Sequence, residues 1–204
     1  MGFSGAVDGL IYYQQSDGTT TVAKEAVRSN KPPTIPQLST QQDTRVCAEL
    51  LKSITDFINV GFELQAKFEK LNQNNSAARY IRHNAITGTY PDRRIDYARL
   101  LVTCGKMETP QNAAVTLTET GFSFTWDAEI KKGSHHSDQI MLMAYFPELK
   151  KAVYLTAGAQ RFKGTDMLML SGVKHGYTAE IYISFISDNR KAISNSIHLG
   201  QLTW

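Results

Sequence analysis

The sequence predicts a mixed α+β protein, with a β-hairpin and a long amphipathic helical region over residues 1–94 and an all-β half over residues 95–204. Three observations predict it. Two short segments rich in β-branched and aromatic residues flank Ser16-Asp17-Gly18, which supplies the turn chemistry of a hairpin. Apolar residues between Leu38 and Leu71 then recur at three- and four-residue spacing, the period of one helix face. From Ala113 onward come seven β-rich segments, separated by Gly, Pro, Asn or Asp about every ten residues, the rhythm of an antiparallel all-β unit.

At 204 residues and 42% hydrophobic content the chain is long enough to bury a substantial core. No run approaches the roughly 18 apolar residues of a spanning helix, and no basic stretch followed by an apolar one opens the chain. A membrane span is therefore not expected, and the cytoplasm is the default location. A net charge of +3 is too small for the whole-chain field to argue for nucleic acid. Cys47 and Cys104 lie far apart in unlike contexts and are expected as two buried or idle thiols, not a disulfide.

Taking the elements in order, Gly9–Gln14 and Thr19–Lys24 form the expected hairpin, made permissive by Gly2, Gly5, Gly9 and Gly18. A two-stranded hairpin is marginal in water. It must lie on its own chain or on a neighbouring subunit, and Ile11, Tyr12, Tyr13 and Val22 are the candidate docking residues. Pro32-Pro33 enforces extended backbone, and Thr34 with Gln37 suits the cap of a helix that tolerates Pro36 in its first turn. Leu38, Val46, Cys47, Leu50, Leu51, Ile54, Phe57 and Ile58 make its stripe. Leu50, Ile54 and Phe57 are candidate core, although such a stripe also suits packing against a second copy. Gly61 ends or kinks this helix; Phe62, Leu64, Phe68 and Leu71 continue the pattern to a turn at 72–75, and a shorter helix is expected over Ser76–His83.

Residues 84–99 read as loop. Here Arg79, Arg82, Arg93 and Arg94 with Tyr90 form a candidate basic and aromatic surface, of the kind that binds phosphates and stacks bases. Asp92 and Asp96 dilute it, and a local ion-pair network is the plainer reading. A strand is expected over 95–103, able to bridge the two halves. The seven segments beyond it have the number and spacing of a fibronectin type III or immunoglobulin-like sandwich. Phe122, Phe124 and Trp126 share one face of their segment, as do Tyr177, Ala179, Ile181, Ile183 and Phe185 of theirs. Trp126 and Tyr182 are candidate core anchors, and the absence of cysteines at the immunoglobulin positions favours the fibronectin-like variant.

The combination of GFSG-x6-IYY, VRSNKPPTIPQLSTQ, INVGF, NAITGTYPDRRIDYARLLVTCG, FTWD and SNSIHLG resembles an uncharacterised bacterial family across nearly the whole chain. The resemblance implies a Gly-rich N-terminal ribbon, a Pro-Pro-Thr-x-x-Gln-Leu helix start and a fibronectin-like C-terminal half; it implies no activity. The N-terminal segment is also similar to proteins of phage-like gene clusters, which points to assembly. Gln41, Gln42 and Asp43 stand where the family carries more Lys and Arg.

Chemistry-bearing patterns are sparse. His135-His136 with Asp138 lies in a polar loop, where adjacent residues do not converge on one metal ion. His175 and His198 have no partner identifiable by spacing, neither cysteine has a nearby base, and GFSGAVDG precedes a strand and so offers no helix amides to an anion. No catalytic, cofactor-binding or metal residue is nominated. The expected function is a non-catalytic structural or assembly module that self-associates or docks on another protein. The alternative is a recognition module for a glycan or protein using Tyr145, Phe146, Tyr154, Phe162 or Tyr177. Nucleic-acid binding through residues 79–99 is a lesser one.

Overall fold

A computed structural model describes residues 4–15, 18–26, 31–130 and 133–204. The expected roles of Gly2, Ser16 and Asp17, and the first four residues of VRSNKPPTIPQLSTQ, lie outside these residues. The chain divides into two compact units, 1–34 and 35–204.

The first unit is a three-stranded antiparallel sheet of β1 (Gly5–Val7), β2 (Leu10–Gln14) and β3 (Thr20–Lys24), in that spatial order. Strands β2 and β3 are the expected hairpin, with Leu10 opposite Lys24 and Gln14 opposite Thr20. Strand β1 was not expected. Its signal is Asp8-Gly9, which has φ of 51° and 75°, the positive values that a two-residue type I′ turn requires at both positions.

The second unit is mixed α+β. Its helices are α1 (Ile35–Ser53), α2 (Thr55–Gly61), α3 (Glu63–Glu69) and α4 (Gln73–Asn84). The helical stretch is interrupted at Ile54, whose φ of −128° leaves the helical region, and again at Phe62. Across these breaks Ile54, Phe57, Ile58 and Phe62 all stay buried. Helix α4 starts at Gln73 instead of Ser76, because the Asn72 side chain accepts from the Asn75 amide at 2.7 Å and caps the first turn. A two-residue pair follows, β4 (Ile86–Thr87) with β5 (Arg94–Ile95).

The strand expected over 95–103 does not form beyond Ile95. The Asp96 carboxylate accepts from the Ala98 amide at 3.2 Å and starts a 3-10 turn over Tyr97–Arg99. The segment still bridges. The Val102 amide donates to Ser196 Oγ at 2.9 Å, the Thr103 hydroxyl to the Ser194 carbonyl at 2.8 Å, and the Cys104 amide to the Gly61 carbonyl at 3.0 Å.

The seven later strands are β6 (Ala114–Leu117), β7 (Gly121–Thr125), β8 (Gln139–Phe146), β9 (Lys151–Leu155), β10 (Thr165–Met169), β11 (Thr178–Ile186) and β12 (Ile197–Thr203). They make two antiparallel sheets, β6-β7-β10 and β9-β8-β11-β12. Phe122 and Phe124 of the first sheet share one hydrophobic cluster with Ile140, Leu142, Ile181 and Phe185 of the second. The opposite face of the second sheet is buried too: Met141, Met143, Tyr145 and Tyr182 join Leu50, Ile54, Phe57 and Ile81 of the helices in another cluster. Strand alternation sends successive residues of β8 and β11 into these two cores. Residues on both sides of residue 94 meet in the helix-facing cluster, and the second compact unit begins at Ile35.

Gly61 shows how tightly this layer is fitted. A Cβ there would lie 2.3 Å from the Val102 carbonyl oxygen. Gly61→Ala is expected to destabilise the fold by about 1–3 kcal/mol through overpacking against backbone, read as a lowered urea midpoint; an unchanged midpoint would mean that residues 102–104 shift at no cost.

Candidate functional site

The candidate docking residues lie on the ribbon, and its register decides which of them share a face. Directly opposed residues of an antiparallel ladder point to the same side. One face carries Val7 and Leu10 opposite Lys24, then Tyr12 opposite Val22. The other carries Ala6 and Ile11 opposite Ala23, then Tyr13 opposite Thr21. Tyr12 and Val22 thus meet, whereas Ile11 and Tyr13 are on the reverse side. Both faces are apolar. Val7, Leu10, Tyr13 and Val22 are exposed, Val22 to 50%, and every residue of β3 is exposed.

The basic and aromatic residues do not form one surface. Arg93 is held by Asp43 in a two-pronged ion pair, Nε to Oδ1 at 2.6 Å and Nη2 to Oδ2 at 2.8 Å, and donates again to the Gly88 carbonyl. That hydrogen-bonded carboxylate holds the Arg93 guanidinium above its ordinary pKa. Arg94 and Arg93 line a small pocket that also contains Glu49 and Lys150. Tyr90 sits with Gln41, Gln42 and Arg45 beside α1. Arg79 and Arg82 are on α4, facing a separate groove.

Of the aromatic residues considered for recognition, Tyr145 and Phe146 are buried, being successive residues of a strand covered on both sides. Phe162 is exposed and Tyr154 packs edge-on against Phe57. Core residues Leu50, Ile54, Phe57, Trp126 and Tyr182 are all buried. Tyr182 serves the helix-facing core, not the cluster that contains Trp126, and its hydroxyl donates to the Tyr97 carbonyl at 2.8 Å.

The histidine loop has a structural partner that sequence spacing did not reveal. Asp138 is buried, accepts from the His135 amide at 2.8 Å, and pairs with buried Arg161 at 3.2 Å. His198 meets Glu180 at 2.7 Å on adjacent strands β12 and β11, and Gln201 donates to the other Glu180 oxygen at 2.7 Å. Both carboxylate oxygens are thereby engaged, which is the arrangement of a satisfied buried polar cluster. Cys47 is buried and its thiol is pushed up to about 11, chiefly by desolvation, with Arg82 opposing. At that value it is protonated at neutral pH. Burial also raises Cys104. Among the described residues no three His, Cys, Asp or Glu side chains are grouped to hold a metal ion, and no helix is long and apolar enough to cross a membrane.

Comparison with known families places the order of these elements in a wider set. Residues 6–200 match a family of unknown function, DUF6266. The chain belongs to DUF6266. The match runs from the ribbon through the helices to β12, so the DUF6266 pattern includes both compact units. No curated protein and no solved structure matches the chain.

Proposed function

We propose that this DUF6266 chain is a non-catalytic assembly module that self-associates through its N-terminal ribbon. The observation that carries the reading is a three-stranded sheet with apolar side chains on both faces and strands of at most five residues. Such a sheet lacks a core of its own and gains stability from whatever covers it. A second copy is the occupant that β3 itself favours. This strand is at a sheet edge, pairing within the described ribbon only with β2. Its sequence, TTVAK, is centred on Val22. Antiparallel pairing with the same strand about a two-fold axis sets Val22 opposite Val22 and each Lys24 opposite a Thr20, with no like charges opposed.

The test is light scattering coupled to size exclusion over a hundredfold dilution. Wild-type chain is expected to elute as a dimer or larger assembly. Val22→Lys, which sets two ammonium groups against each other on the axis, is expected to shift it to monomer by at least tenfold in dissociation constant. A monomer throughout, or an assembly indifferent to the substitution, would remove the proposal.

We further infer that strands β6–β12 form a fibronectin type III-like sandwich that acts as the spacer of this module. The support is its strand partition, with the first, second and fifth strands in one sheet and the third, fourth, sixth and seventh in the other. Glycan or protein recognition by its loops has less behind it, since burial removes Tyr145 and Phe146 from the aromatic set.

A further inference from the structure

Helices α1 and α4 are packed through residues that include Cys47 and Ala78. On their outer side the seam widens into a groove of about 760 Å³, within the size range of small-molecule sites. On α4 it runs from Asn74 to His83, about 14 Å at the helical rise per residue.

The charges around it are of one sign. Lys52 of α1 and Arg79, Arg82 and His83 of α4 line the groove, and no carboxylate does. The three α4 residues fall at i, i+3 and i+4, so they share one helix face. The acids of the neighbouring elements are engaged elsewhere: Asp43 holds Arg93, Glu49 accepts from Lys150 at 2.9 Å, and Asp56 accepts from the Tyr154 hydroxyl. Glu69 reaches Arg79 only at 4.0 Å while accepting shorter bonds from Gln65 and Ser76. Among the described residues Lys52 and Arg82 have no ion-pair partner. Arg82 is close enough to Cys47 to offset part of what burial does to that thiol. The C-terminal end of α4 contributes only about half a negative charge, against three full positive ones. The floor of Cys47, Leu51 and Ala78 is apolar, and Thr44, Asn74 and Asn75 add polar walls.

We propose that this groove binds a small ligand bearing two or more linked phosphates, with Lys52, Arg79 and Arg82 as the phosphate-binding residues. A fork of guanidinium donors spaced along one helix face suits successive phosphates of a chain. No Phe, Tyr or Trp lines the groove, so nothing there offers a stacking platform for successive bases of a nucleic acid strand. The inference is independent of the ribbon, which lies in the other compact unit.

Calorimetric titration of the full chain with inorganic tripolyphosphate tests it, beside an adenosine triphosphate arm and a twelve-nucleotide single strand. Tripolyphosphate is expected to bind one to one. Affinity is expected to fall at least tenfold in Lys52→Gln/Arg82→Gln, whose exposed positions leave the melting temperature close to wild type. Tighter binding of adenosine triphosphate than of tripolyphosphate identifies a nucleotide as the source of the phosphates, and equal binding identifies a free oligophosphate; both support the site. No heat with either, or unchanged affinity in the folded double variant, overturns it. Binding of the oligonucleotide alone overturns it in favour of a nucleic-acid surface.

Discussion

Replacing Asp138 by alanine is expected to cost about 3–5 kcal/mol of folding stability, because it removes the carboxylate hydrogen-bonded to a buried guanidinium. The Asp138 and Arg161 side chains are each 3% exposed, and their Oδ2 and Nε atoms are 3.2 Å apart. Arg161 Nη2 already has no hydrogen-bond partner, and desolvation lowers the Arg161 pKa before Asp138, and to a smaller extent Glu108, partly restore it. The guanidinium carbon also lies 3.7 Å from the Phe185 ring centroid. That contact supplies about 2 kcal/mol when desolvated, too little to replace a counter-ion. Removing both charges together, as Asp138→Leu with Arg161→Met, is expected to restore most of the loss. Urea unfolding of the single and double variants measures it; a single variant within about 0.5 kcal/mol of wild type would mean that water reaches Arg161.

Trp126→Ala is expected to lower stability by a similar amount, about 3–5 kcal/mol, from the cavity it leaves. The indole is 5% exposed, stands edge-on to Phe185 with centroids 6.0 Å apart, and donates to the Arg161 carbonyl at 2.8 Å. Truncation leaves that buried carbonyl short of one donor, which adds to the cavity term. Trp126→Phe keeps most of the packing and loses the hydrogen bond, so its cost is expected to be less than half as large. Since Trp126, Phe185 and Arg161 touch one another, the Trp126 and Asp138 substitutions should not be additive. A loss under about 1 kcal/mol for Trp126→Ala would identify a residue that is not anchoring this core.

Much of the second unit was legible because its signals are local. Alternation in GFSFTW predicted which of Phe122, Ser123, Phe124 and Thr125 turn inward, and Gly, Pro, Asn and Asp punctuation separated the seven strands. What eluded the sequence has non-local causes. The unbroken apolar run IMLMAYF in β8 is the pattern of a strand covered on both faces, yet which element covers the second face depends on the path of a distant helix. Asp138 and Arg161 are paired across an interval with no periodic relation. In IDYARLLVT, β-prone residues predicted a strand, but one carboxylate at Asp96 with access to the Ala98 amide won a local turn. In the ribbon, Asp8-Gly9 was legible as turn chemistry and its strand β1 is short enough to escape notice. The candidate surface over 79–99 was assembled from sequence proximity, and the fold distributes it over a helix, a loop and a small sheet.

Strands β8 and β11 occupy the middle of their sheet, paired along both edges and covered on both faces. Their amide hydrogens can exchange with solvent only when a whole layer lifts away. Peeling off the helices would expose Met141, Met143, Tyr145 and Tyr182 together, and peeling off the other sheet would expose Phe122, Ile140, Ile181 and Phe185 together. Either opening exposes a continuous apolar face to water. Residues 35–204 are therefore expected to unfold together, and a cut near residue 94 would take from the second sheet the helices that cover Met141, Met143, Tyr145 and Tyr182, while the cluster between the two sheets stays with the C-terminal piece.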